Sequence, residues 1–502
     1  MKPYIKYHYW LTNIINRWKF SRSPHPSPLL AEREQNPLQQ RASLILNVFS
    51  RTIMIKYHKQ SSLVAGLLMS CLTVFSQSGN HSGITALLNK EYAGLVDLYR
   101  YLHANPELSL QEKETAARMA KELEHAGFEV TTGVGGYGVV GVLHNGPGKV
   151  VLVRTDMDAL PTAEKTNVPY ASRIQAKDEK GNPVPVMHAC GHDMHMAVWT
   201  GVARIISQLK SNWSGTVVFI AQPAEETGLG ALHMIEDGLF TRFPEPDYAL
   251  ALHVNSAVEA GKIGFCPGYS LANIDNLDIT VKGKGGHGAS PHTTVDPIMI
   301  ASKLVLAFQD IVGREVPAVE PAVISVGAIH GGTSGNTIPD QVKMQVSVRS
   351  LNPVIQQELI GSIKRTCEGI AYSCGAKPEN YPVVEIIKPG LPAVFNDIKL
   401  SENLSVHLKT VLGDKNVLLL GPEMFGEDFS RYGSTSAHIP SVLYSVGAVR
   451  SEDMKAEAEG RIKLPSTHSS LFIPDTEPAL KTGVVSMSSA ILYLLNNDHK
   501  KH

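Results

Sequence analysis

Four short runs limit the architectures open to this chain: "GVVGVLH" (138–144), "KVVLVRTDMDALP" (149–161), "GTVVFIAQPAEE" (215–226) and "DYALALHV" (247–254). Each contains an unbroken apolar stretch, rich in β-branched residues in all but the last, and not an alternation of apolar and polar. Such strands are buried on both faces, so they need a sheet covered on both sides by helices. Stretches with helical periodicity separate several of them. Two more precede them: "GITALLNKEYAGLVDLYRYLHANPELS" and "LQEKETAARMAKELEHAGF" carry apolar residues at three-and-four spacing, with Gly127 a candidate C-cap. The class expected is α/β. The polar motifs follow directly on the apolar runs, where open α/β sheets place functional groups.

The pattern changes near residue 272. "NIDNLDITVKGKG" reads as a strand, "VDPIMIASKLVLAFQDIV" as a helix, and "PAVISVGAIHGG" and "DQVKMQVSVRS" as strands. "NPVIQQELIGSIKRTCEGIAYSCG" is a second helix and "YPVVEIIK" a last strand. This order, β-α-β-β-α-β, is that of a ferredoxin-like unit. Beyond it "LSENLSVHLKTVLG", "IPSVLYSVGAV" and a helix from about Glu477 resume the earlier style. A length of 502 residues accommodates more than one domain. The expectation is a catalytic domain in two segments, 84–271 and 388–496, interrupted by a smaller domain at 272–387.

The N-terminal region does not belong to this scheme. Residues 1–53 show no sustained periodicity and are expected to be a non-native or disordered extension. Met54 opens a stretch with a basic start (Lys56, His58, Lys59), an apolar run from Leu63 to Phe75 and small or polar residues after it. This is the layout of a secretory signal over 54–78, too short to span a bilayer comfortably. The expectation is an exported chain, periplasmic or secreted, with no integral membrane segment once processed; lipid attachment at Cys71 is the alternative. Four cysteines follow the signal, and their scatter does not form a disulfide framework; Cys266, Cys367 and Cys374 read as buried thiols. The formal net charge of -1 gives no reason to expect nucleic acid as a partner.

The fourth cysteine lies in "HACGHDMH", residues 188–195. Cys190 and His192 flank one glycine, which lets the backbone turn so that both side chains reach one ion. Thiolate with imidazole suits zinc, and mixed N/O donors also hold manganese or cobalt. In "QPAEET" two carboxylates, Glu225 and Glu226, are adjacent. On a turn, one can ligate while the other faces a water as general base. His253 closes an apolar run and His468 precedes an aromatic in "PSTHSSLF".

Taken with "RTDMDALP", "QPAEETGLGA", "ALHV", "GKGGHGASPH", "VDPI", "GGTSGNTIPD", "GEDFS" and "THSSLF" in this order, the chain resembles the metal-dependent aminoacylase/carboxypeptidase family over about residues 88–495. The branch is that of hippurate hydrolases, N-acyl-amino-acid amidohydrolases and auxin-conjugate hydrolases. The resemblance implies a metallo-exopeptidase-like catalytic domain with an inserted ferredoxin-like lid that also forms a homodimer. It implies Cys190, His192, Glu226, His253 and His468 as ligands of one or two divalent ions, zinc or manganese with cobalt an option, bridged by the Cys190 thiolate if there are two. It implies Glu225 as general base and His287 as an oxyanion donor reaching the partner subunit's site. Asn336 becomes a substrate donor, and Arg349 a fork for a substrate carboxylate. Asp158, in the motif with Asp156, orients a ligand. His188 and His195 are read as supporting or core residues. The chain departs from the family pattern at Ser470, where a proline is usual, at Asp475-Thr476 and at Thr227; no ligand position is affected.

The function expected is hydrolysis of an N-acyl amino acid to a carboxylic acid and a free amino acid. A divalent ion brings the pKa of a bound water from 15.7 towards about 7. Glu225 then takes its proton and delivers it to the leaving amine. Two alternatives remain: a metallo-dipeptidase or carboxypeptidase on the same scaffold, and a metal-bearing protein that binds conjugates without cleaving them. A serine hydrolase is disfavoured, because no G-x-S-x-G elbow occurs.

Overall fold

The computed structural model describes residues 81–496. The extension at 1–53 and the signal-like segment at 54–78, with Cys71, lie outside the described residues.

The catalytic half is an eight-stranded sheet. Its order is Glu129–Val134, Gly138–Asn145, Gly215–Gln222, Val150–Asp156, Tyr248–Glu259, Ser441–Val449, Ile263–Phe265 and Val417–Leu419. The four central strands, from Gly215–Gln222 to Ser441–Val449, run parallel. The sheet explains why the runs do not alternate. Val151, Val153, Val217, Phe219 and Ala221 point into one apolar core, with residues of the helices 81–104, Lys113–His125, His192–Gln208, Ile398–Leu412 and Thr476–Asn496. Their sequence neighbours Leu152, Val218 and Ile220 point into a second core with Met234, Leu239, Phe429 and Tyr432. With both faces covered, every residue of Gly215–Gln222 is buried.

Helix His192–Gln208 is central to the larger core. A Cβ at Gly201 would come within 2.8 Å of Leu95 and of Val484, so this glycine lets helices 81–104 and Thr476–Asn496 approach it closely. Among the described residues Thr476–Asn496 is long and apolar enough to cross a membrane, but it is mostly buried in this core.

The inserted half is an antiparallel sheet ordered Ala322–Gly331, Gln341–Ser350, Asn273–Lys282, Val383–Leu391. Here the strands alternate. Leu277, Ile279, Val281, Val342, Met344 and Val346 meet Ile300, Leu304, Phe308, Leu359 and Ile363 of the helices Pro297–Arg314 and Pro353–Ser373. Both helices start with a side-chain cap before proline. Asp296 accepts from Ile298 N at 2.8 Å and Asn352 from Val354 N at 2.9 Å. The unit is ferredoxin-like, with its own core.

The four described cysteines are unpaired. Cys367 is fully buried, as expected. Cys266 and Cys374 are only partly buried, because each follows the end of its element and not its interior.

Candidate metal centre

The site forms where the parallel strands end. Strand Val150–Asp156 leads into Met157 and Asp158, and strand Gly215–Gln222 into Pro223 and Ala224. His253 differs from expectation: it lies within Tyr248–Glu259, not at its end. Pairing with Val150–Asp156 stops at Ala251, however, so His253 stands just past the ladder on that side.

Gly191 has φ 83° and caps helix His192–Gln208. A Cβ there would come within 2.5 Å of Val254 and 3.3 Å of Phe472. Only glycine satisfies both the left-handed turn and the space. The turn brings Cys190 and His192 to one centre. Ala224 (φ 53°) and His468 (φ 65°) are left-handed without being glycine. Such conformations persist only where the surroundings impose them. Ala224 opens the turn carrying Glu225 and Glu226, which the Gly228 N–H closes on Glu225 O at 2.7 Å. His468 is held by its own N–H on Ala189 O at 2.8 Å.

Cys190 Sγ lies 3.2 Å from His468 Nε2 and 3.5 Å from His253 Nε2. Glu226 Oε1 is 3.5 Å from His468 Nε2 and 3.9 Å from His192 Nε2. Two trios, Cys190/His192/His253 and Cys190/Glu226/His468, each hold their donor atoms within 4.8 Å of one another, and Cys190 belongs to both. Metal–donor bonds of about 2.0–2.3 Å place tetrahedral donors roughly 3.3–3.6 Å apart, so these spacings suit a shared cation. His192 Nε2 and Glu226 Oε1 are buried and lack a hydrogen-bond partner. His192 Nδ1 donates to Asp158 O at 2.8 Å, which turns the Nε2 lone pair towards the centre. Burial, then Glu427, Glu226 and Asp428, push the Glu225 carboxyl well up; burial is also the main cause lifting Glu226 to about 7. Negative charge so crowded is what a cation would relieve. The residues fit a divalent ion.

A third trio, Asp156, His192 and His195, is also close, but the Asp156 and His195 atoms are engaged. Asp156 accepts from His195 Nδ1 at 2.7 Å and from Arg154 at 2.6 Å, and His195 Nε2 accepts the Val254 N–H at 2.9 Å. His195 is a prop for the strand bearing His253. Asp158 Oδ2 accepts the Glu226 N–H at 2.9 Å and the Ser109 hydroxyl at 2.6 Å. His188 is buried with neither ring nitrogen partnered.

The lid candidates form a separate group. His287 pairs with Thr337 in a two-stranded ladder between segments distant in the chain, Gly286–His287 and Thr337–Ile338, and the Gly288 N–H donates to Asn336 O at 2.7 Å. Both His287 and Asn336 are exposed. His287 Nδ1 accepts the Ala289 N–H at 3.0 Å, leaving the ring proton on Nε2. Arg349 donates to Met424 O at 2.8 Å, in the loop that leads to Glu427.

Sequence reasoning left several buried residues unassigned. Arg154 bonds Glu427 at 2.8 Å, Asp428 at 3.1 Å and Gln222 at 3.0 Å, behind Glu225. His103 donates to Asp193 at 2.6 Å and to Glu164 at 3.0 Å. The signal for Arg154 was available: an arginine inside an apolar strand has to find carboxylates, and "GEDFS" holds two.

Residues 152–465 match the model of peptidase family M20/M25/M40. The chain belongs to this family. Its relatives include thermostable carboxypeptidase 2 of Saccharolobus solfataricus, 35% identical over 78% of this chain and 93% of that one. N-acetyl-L-cysteine deacetylase of Bacillus subtilis is 31% identical over 81% and 90%. The crystal structure of the B. subtilis YXEP protein, described as a dinuclear metal-binding peptidase of the M20 family, is 29% identical. It covers 81% of this chain and 99% of its own, with a TM-score of 0.66. This M20-family chain is therefore an enzyme, a metal-dependent hydrolase of amide bonds.

Proposed function

We propose that the enzyme hydrolyses the amide bond of N-acyl amino acids, of hippurate or N-acetyl type, using one or two divalent ions, zinc or manganese. One observation carries the reading: two donor trios share Cys190, with Glu225 beside them. A thiolate common to both trios would let one side chain serve two ions. Cys190, His192 and His253 would hold one ion, and Cys190, Glu226 and His468 the other. When bound, they supply Lewis acidity and a water acidic enough to lose its proton near neutral pH.

The chain's own residues do the rest. Glu225, a carboxyl with a raised affinity for protons, accepts the proton of the attacking water and passes it to the leaving nitrogen. Asp158, through its carbonyl on His192 and its carboxylate on Glu226 N–H, holds both donors in place. His287 offers an Nε2–H to the developing oxyanion in the partner subunit of a homodimer. Asn336 beside it, and Arg349, bind the substrate. The lid supports dimerisation with an edge strand, Ala322–Gly331, open on one side and an exposed Leu306 on the neighbouring helix. The chain is exported after removal of its signal segment; intact-mass analysis of the mature product tests that.

The functional test is turnover of hippurate and N-acetyl amino acids beside dipeptides, on protein stripped by a chelator and reloaded with manganese or zinc. Cleavage of the acyl amino acids after reloading supports the reading. Cleavage of dipeptides alone would favour the carboxypeptidase-like alternative, which the likeness to a carboxypeptidase keeps in view. Metal uptake with no turnover of either would overturn the acyl-amino-acid reading and send the search to other amides.

A further inference from the structure

The segment "HANPELSLQE", residues 103–112, contains no metal donor, yet it touches the turn that presents Glu225 and Glu226. Glu112 occupies the N-cap of helix Lys113–His125 and makes no capping bond. Glu107 does that work instead, accepting Thr115 N at 2.7 Å and Glu114 N at 3.2 Å. Glu112 is thereby free to turn inward, and it is fully buried. Its Oε1 accepts the N–H of Ala224 at 2.8 Å and of Leu110 at 3.0 Å. Both donors are left-handed non-glycine residues, with φ 53° and 64°. One carboxylate oxygen thus ties down two conformations that L-residues avoid. The same turn is held on its other side by the Glu226 N–H on Asp158 Oδ2, an oxygen that the Ser109 hydroxyl also reaches at 2.6 Å.

We propose that Glu112 is a positioning residue: through the Ala224 N–H it fixes the strained turn that aims Glu225 and Glu226 at the metal centre, with Ser109 bracing that turn through Asp158. The inference rests on the metallo-hydrolase reading above for the roles of Glu225 and Glu226. Hydrogen-bond acceptance does the holding, so an amide oxygen in the same place serves as well. Burial, then the neighbouring Asp158, lifts the Glu112 carboxyl to about 7, and the neutral side chain is a fair mimic of it.

The experiment compares wild type, Glu112→Ala, Glu112→Gln and Ser109→Ala. Each is stripped of metal, checked for folding by circular dichroism, and titrated with manganese against a chelating dye. Values of kcat and KM on hippurate follow. Glu112→Ala should weaken the manganese affinity by about 10- to 100-fold and lower kcat by a similar factor, with KM within about 2-fold. Glu112→Gln should restore both to within about 3-fold of wild type, and Ser109→Ala should weaken affinity by about 3- to 10-fold. A folded Glu112→Ala with wild-type affinity and kcat overturns the proposal, as does a Glu112→Gln variant as impaired as the alanine. If Glu112→Ala does not fold, Ser109→Ala decides, and unchanged affinity there overturns it. The titration needs no substrate. A wild type that binds manganese but leaves hippurate intact refutes the functional reading, while the affinity series still judges Glu112.

Discussion

The two halves of this molecule prepare for chemistry in different ways. In the catalytic half, four of the five candidate metal donors have a second contact that fixes them or their chain segment. His192 is held by Asp158 O, His253 by Val254 O at 2.7 Å, the Glu226 N–H by Asp158, and the His468 backbone by Ala189. Behind them lies a buried ionic network around Arg154. In the lid, His287 and Asn336 are exposed at a two-stranded ladder, Gly286–His287 with Thr337–Ile338, and their hydrogen bonds stay within it and the residues beside it. The first half is assembled before substrate arrives. The second presents exposed side chains with no comparable support. Preorganisation therefore belongs to the metal side.

The sharpest break of this contrast is Glu225→Gln. It removes a proton acceptor without removing a donor of either trio. Manganese content should stay at the wild-type level while kcat falls by about 10²- to 10⁴-fold. A variant that turns over normally would remove Glu225 from the chemistry; one that loses metal would make it a ligand. Next in size is His287→Ala. Loss of one oxyanion donor costs about 10²- to 10³-fold in kcat, and metal affinity should not move, because the His287 ring bonds Ala289 and none of the candidate donors among the described residues. Mixing this variant with Glu225→Gln tests the crossing between subunits. Hybrid dimers should regain part of the activity that neither parent has. No recovery in a verified hybrid would place His287 over its own subunit's site.

What the sequence discloses of this site depends on how local the signal is. Cys190 and His192 are legible because one glycine separates them, and Glu225 and Glu226 because they are adjacent. His253 and His468 were recognisable only by resemblance, since they stand 215 positions apart in the chain. The lid was legible as an element order, and its alternating strands agree with one wet face. The catalytic sheet was legible from the lack of alternation. The supports were not. Arg154 meets Glu427 across 273 positions, His103 meets Asp193 across 90, and Glu112 meets Ala224 across 112. No periodicity encodes such pairs. The only local hint is a charged residue set where burial is expected.

His103 gives the smallest expected effect and the most specific one. Burial alone would push its imidazole down, but the hydrogen bonds and charges of Asp193 and Glu164 outweigh burial and lift it to about 10. An unfolded histidine titrates near 6.5. The folded form therefore holds an extra proton between about pH 6.5 and 10, and the stability this brings is complete below 6.5 and is lost as pH climbs towards 10. Asp193 and Glu164 are shifted the other way, downward, so their contribution is present above the ordinary carboxylate range and disappears in acid. The advantage of wild type over His103→Gln should thus be widest near pH 6 and shrink on both sides. Above 6.5 it should shrink with a slope of at most about 1.4 kcal/mol per pH unit. Urea unfolding of both proteins from pH 5 to 9.5, at one metal concentration, measures it. A difference that stays flat across that range would mean that His103 is not an imidazolium clamped between two carboxylates. Helix His192–Gln208, which carries Asp193, would then owe its placement to its apolar packing alone.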